Sequence, residues 1–168
     1  MAFDGSAIKA LLDGAVAKGA AHGVAAVVVN RDGQLFHHAA GQAKANTMFR
    51  NASMTKAVAT TAALQLVEQG KLDLDADVNQ YLDFKIPARD GKPMTLRQIM
   101  THTTGLEEQI RGLITSNEDE IVPVGEALKR WVPERIHVPG ATPAYSNYAT
   151  AVAGYIVQRV SGEPFDAY

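Results

Sequence analysis

Apolar and polar positions first alternate between two regimes along this chain. Near the start, Ile8, Leu11, Leu12, Ala15 and Val16 recur at helical spacing, and Ser6 or Asp4 can cap the helix they imply. Val24 to Val29 is an unbroken apolar run, which suits a strand covered on both faces. Asn30-Arg31-Asp32-Gly33 follows, and Asp-Gly is a strong hairpin turn, so Gln34 to Gly41 is the expected returning strand. From Met54 the pattern becomes helical as far as Gly70, with Val58, Ala62, Leu66 and Val67 as the expected buried face. Thr95 with Gln98 reads as a capping box. Val124 to Val132 is a short helix closed by Pro133, and Tyr148 to Ser161 is a last helix stopped by Gly162 and Pro164.

The order is unusual: two strands, then helices to the end. A two-stranded hairpin is marginal alone, and a doubly covered strand needs more sheet than these elements supply. The expectation is therefore a truncated chain. Residues 1–52 would form the helix and hairpin of an incomplete α/β domain, and residues 53–168 a helical domain.

Composition narrows the function classes. The chain has 168 residues with a formal net charge of -2 and no cysteine. No basic stripe suggests nucleic acid, and no apolar run suggests a membrane span. Disulfides, thiolate metal sites and cysteine nucleophiles are excluded. The first residues lack the pattern of a signal peptide, so the expected compartment is the cytoplasm, or the periplasm if a leader was removed.

Ser53-Met54-Thr55-Lys56 reads S-x-x-K. A serine hydroxyl needs a nearby base to act as a nucleophile, and residues three apart on a helix share a face. Lys56 would thus turn its amine toward Ser53. A helix start adds free N–H groups that can hold an oxyanion. The spacing alone is weak, since Ser6-Ala7-Ile8-Lys9 matches as well and reads as a cap followed by an exposed lysine. Tyr145-Ser146-Asn147 strengthens it, because a phenol can relay a proton and an amide can donate and accept. Taken by itself, Asn147 could equally be a helix cap.

Further segments make the pattern specific. Thr47-Met48-Phe49-Arg50 leads into the serine, and Glu68-Gln69-Gly70-Lys71-Leu72-Asp73-Leu74-Asp75 follows its helix. His102-Thr103-Thr104-Gly105-Leu106, Pro139-Gly140 and Val160-Ser161-Gly162-Glu163-Pro164 come later. Together with S-x-x-K and Y-x-N, these resemble class C β-lactamases, D-alanyl-D-alanine peptidases and related carboxylesterases, over essentially the whole chain. The resemblance implies an α+β fold, an antiparallel sheet flanked by helices with a helical domain packed on it. It implies Ser53 as the acylated nucleophile, with Lys56 and Tyr145 sharing the proton work. Asn147 would contact substrate or hold Lys56. His102 would hold a loop. The family's third motif, K-T-G or H-x-G, is not found before Tyr168.

No metal or cofactor is expected. His37 and His38 are neighbours on a strand and face opposite ways, and no H-E-x-x-H, Walker, dinucleotide or G-x-S-x-G pattern occurs. The expected reaction is hydrolysis of a small-molecule ester through an acyl-serine, with a β-lactam or D-alanyl peptide as the alternative substrate. A reading of another class also stands: an inactive fragment that associates with itself or with a complementary C-terminal chain.

Overall fold

The computed structural model describes residues 3–109 and 115–168. The chain divides into two compact units, Met1–Asn51 and Ala52–Tyr168.

In the first unit, α1 (Ser6–Ala17) precedes β1 (Gly23–Asn30) and β2 (Gly33–Gly41), which pair antiparallel. Asp4 rather than Ser6 covers the helix start, accepting from the Ser6 N–H at 2.9 Å. The hairpin turn closes as expected: the Asn30 side chain accepts from the N–H groups of Asp32 and Gly33, at 2.9 and 3.1 Å. The pairing shifts register between Val28 and Val29. His38 on β2 meets Asp13 on α1 at 2.6 Å. The doubly covered strand is not what forms. Exposure alternates along β1, and Val27 and Val29 stand 56% and 63% exposed. β-Branched valines suit a pleated strand even on the exposed face, so the apolar run does not require both faces to be packed.

The second unit holds the core. A 3₁₀ turn, Ala52–Met54, runs into α2 (Thr55–Glu68); α3 (Leu96–Met100), α4 (Val124–Arg130) and α5 (Asn147–Ser161) come after it. Leu66, Leu96, Leu106, Val152, Ile156 and Val157 are among the side chains in one buried cluster. α2 buries Ala59, Ala63 and Leu66. The expected face is therefore rotated: Leu66 belongs to it, Ala62 and Val67 are partly buried, and Val58 is 65% exposed. Small side chains occupy the face because α2 packs directly on α5, which turns Ala149, Val152 and Ala153 inward. Half of the expected capping box forms. Thr95 Oγ1 accepts from the Gln98 N–H, while Gln98 Oε1 is buried without a partner.

An irregular backbone pairing braces the loops between these helices. The segment after α3 runs antiparallel to residues 134–144. The Glu107 N–H donates to Glu134 O (2.9 Å), His137 to Gly105 O (3.1 Å), Gly140 to Thr103 O (2.8 Å) and Ala144 to His102 O (2.7 Å). Gly105 makes the approach possible: its φ is +81°, and a Cβ there would lie 2.3 Å from His137 O. Arg135, nearly buried, donates to backbone carbonyls of Thr104 and Lys92 and pins the same loops.

Candidate active site

Ser53 sits in the 3₁₀ turn that opens α2. Ala52, just before it, has φ +45°, a left-handed conformation that a residue with a Cβ adopts only under constraint. Lys56 lies on the first helical turn. Its Nζ donates to Ser53 Oγ at 3.2 Å and to Asn147 Oδ1 at 2.6 Å. Ser53 Oγ also meets Tyr145 Oη at 2.7 Å, and either hydroxyl can donate. Nζ lies 4.9 Å from the centre of the Tyr145 ring. The four residues singled out by sequence, Ser53, Lys56, Tyr145 and Asn147, thus form one hydrogen-bonded cluster inside the second unit. Ser6 and Lys9 lie on α1 in the other unit, and Lys9 pairs with Asp13 at 2.7 Å.

The electrostatics favour ionisation of the phenol. The Lys56 ammonium, and then the Ser53 hydroxyl, hold the Tyr145 pKa below the usual tyrosine range; the Glu108 charge opposes them. Tyr145 is 45% exposed, so solvent reaches the group. Its ring lies on His102, with centroids 4.5 Å apart and planes at 33°. Burial, and then the Lys56 charge, hold the His102 pKa below its ordinary value. A neutral ring suits its contact, because Nδ1 accepts from the Ser146 N–H at 3.3 Å. His102 therefore holds the loop beneath Tyr145, and its own φ is +52°.

The start of α5 resolves the alternative reading of Asn147. Ser146 is the cap, its Oγ accepting from the Ala149 N–H at 3.1 Å. The Asn147 side chain is left for the cluster. Its far end meets a residue that sequence reading missed. Glu108 Oε1 accepts from Asn147 Nδ2 at 2.6 Å, and Oε2 accepts from the Asn147 N–H at 3.0 Å. The only sequence signal was position, just past the Gly105-Leu106 turn. A hollow of about 480 Å³ touches Lys56 and Asn147, and Ala52, Ala59, Gly154, Tyr155 and Phe165 line its apolar wall. Among the described residues, no three His, Asp or Glu side chains are placed to hold a metal ion, and no helix is long and apolar enough to cross a membrane.

A serine between an amine and a phenol, with the amine anchored by an amide, is an arrangement that can deprotonate a hydroxyl and return the proton to a leaving group. Comparison with known proteins gives the family. The Beta-lactamase family model matches residues 8–168. Esterase EstB from Burkholderia gladioli is 32% identical over 98% of this chain and 45% of its own length. The putative penicillin-binding protein PbpX from Bacillus subtilis is 35% identical over 73% of this chain and 29% of its own length. The chain thus spans less than half the length of these relatives. Its fold is similar to part of an octameric penicillin-binding protein homologue from Pyrococcus abyssi, with a TM-score of 0.81 over 99% of this chain and 41% of that one, at 21% identity. With the match running from the first helix through the Ser53 cluster to Tyr168, the chain belongs to the β-lactamase family.

Proposed function

We propose that this chain carries the nucleophile of a serine hydrolase that cleaves carboxylic esters through an acyl-Ser53 intermediate. The observation that carries the reading is the position of Ser53 Oγ, 2.7 Å from Tyr145 Oη and 3.2 Å from Lys56 Nζ. Ser53 Oγ attacks the ester carbonyl carbon, and its proton passes to Tyr145 in its phenolate form, which the neighbouring Lys56 ammonium favours, or to Lys56 in its neutral amine form. The tetrahedral intermediate collapses, the C–O bond to the alcohol breaks, and the relay returns the proton to the departing alkoxide. Water then attacks the acyl-serine by the same path in reverse. Because Ser53 lies at the start of α2, backbone N–H groups of a helix N-terminus are near the reacting carbonyl and suit an oxyanion.

The likeness to Esterase EstB, which extends over nearly the whole chain, supports an ester as substrate. The apolar hollow beside Lys56 suits an acyl or alkyl group. The likeness to PbpX favours a second substrate class, penicillin-type β-lactams, attacked by the same serine. The test is to treat the protein with a fluorophosphonate and map the adduct, then compare turnover of p-nitrophenyl butyrate and nitrocefin. Labelling at Ser53, lost in Ser53→Ala, with faster ester turnover is expected. An adduct elsewhere overturns the nucleophile, and much faster nitrocefin cleavage reverses the order of substrates.

A further inference from the structure

We infer that Glu108 is a positioning residue for the Ser53 site, gripping the Asn147 amide so that its Oδ1 is held against Lys56. The inference rests on the proposed serine chemistry. An amide has an accepting end and a donating end, and only the accepting end suits an ammonium. In Asn147 both ends are engaged, Oδ1 by Lys56 at 2.6 Å and Nδ2 by Glu108 at 2.6 Å. The second Glu108 oxygen takes the backbone N–H of the same residue at 3.0 Å. The two contacts together fix both the rotation of the amide and the place of its backbone. The line Glu108, Asn147, Lys56, Ser53 thus runs from an anion through an amide to a cation and the nucleophile.

Three features distinguish this from a simple helix-end charge. Glu108 is exposed, so it does not fill the core. It comes directly after a segment fixed to residues 134–144 by backbone hydrogen bonds, so the carboxylate is presented from a scaffold. Capping of α5 is already performed by Ser146. A carboxylate serving only the helix end would have no need of the side-chain Nδ2.

Glu108→Gln keeps the shape but turns an NH₂ toward a donor, which breaks one arm of the grip. A displacement of the amide by about 1 Å is enough to cost on the order of ten- to a hundredfold in rate. We expect kcat for p-nitrophenyl butyrate to fall by that factor with KM within about twofold and the melting temperature little changed. Glu108→Asp should recover part of the loss. In an Asn147→Ala background, Glu108→Gln should have no further effect, because the residue acts only through Asn147. The side-chain amide resonance of Asn147 should shift in Glu108→Gln whether or not the enzyme turns over. Wild-type kcat in Glu108→Gln, an undiminished loss in the Asn147→Ala background, or an unmoved amide resonance overturns the inference. Failure of the wild-type protein to label at Ser53 with a shifted amide resonance overturns the serine reading and leaves the grip standing.

Discussion

Tyr145 and Lys56 share one proton path, since both reach the same oxygen of Ser53. Lys56→Ala and Tyr145→Phe should each slow acylation strongly, and the double variant should be little slower than the worse single one, because parts of a unit do not add. Multiplicative losses would mean that the two act independently. The lowered Tyr145 pKa gives a separate check. Its phenolate is populated at lower pH in the folded protein than in a free tyrosine, so the acylation rate should rise with pH along a limb centred below 10. An ultraviolet titration of the five tyrosines should show one ionising early. That step should vanish in Tyr145→Phe and move upward in Lys56→Ala. Burial pushes the Tyr148 phenol well above the ordinary range, so it does not contribute to the early step. An early step that survives Tyr145→Phe would contradict the electrostatic account.

Among the elements, contact between α2 and α5 decides the geometry of the cluster. Ser53 and Lys56 lie at the start of one helix, Tyr145 and Asn147 at the start of the other. The distance between the helices sets the distance between the two pairs. Ala63, fully buried, is one of the small side chains that allow the approach. Ala63→Leu should overpack the interface, costing about 1–3 kcal/mol of stability and slowing Ser53 labelling, as read by denaturant unfolding and a fluorophosphonate. Unchanged stability would mean that the interface is looser than its burial implies. The sequence made the ends of these helices legible through Gly70 and Gly162, and the start of α3 through the Thr95 cap, all local signals. It made the four cluster residues legible because their spacing is itself a chemical constraint. The buried face of α2 was harder, since periodicity weights Val58 above Ala59, whereas a close helix pair selects for small size. Glu108 was not legible. Nothing in a sequence distinguishes it from Glu107 beside it until residues 102–107 are paired with 134–144.

At the scale of the whole molecule, stability is unevenly divided. The buried cluster runs from Ala63 to Val157 and lies entirely in the Ala52–Tyr168 unit. The Met1–Asn51 unit rests on a helix with no buried residue and a two-stranded sheet with Val27, Val29 and Leu35 exposed. A two-stranded hairpin is marginal in water, and regions with few buried apolar contacts open at lower free energy than the core. Amide hydrogens of β1 and β2 should therefore exchange much faster than those of α5, whose residues from Tyr148 to Val157 include eight buried ones. The stretch 42–51 joins the two units without a helix or strand, and Lys44 and Arg50 within it are exposed. Brief trypsin treatment of residues 1–168 should cut after Lys44 or Arg50 before the sites within α2 and α5. The fragment that remains should keep the protected α5 amides. Equal protection of hairpin and α5, or first cleavage within α2 or α5, would contradict this uneven division of stability.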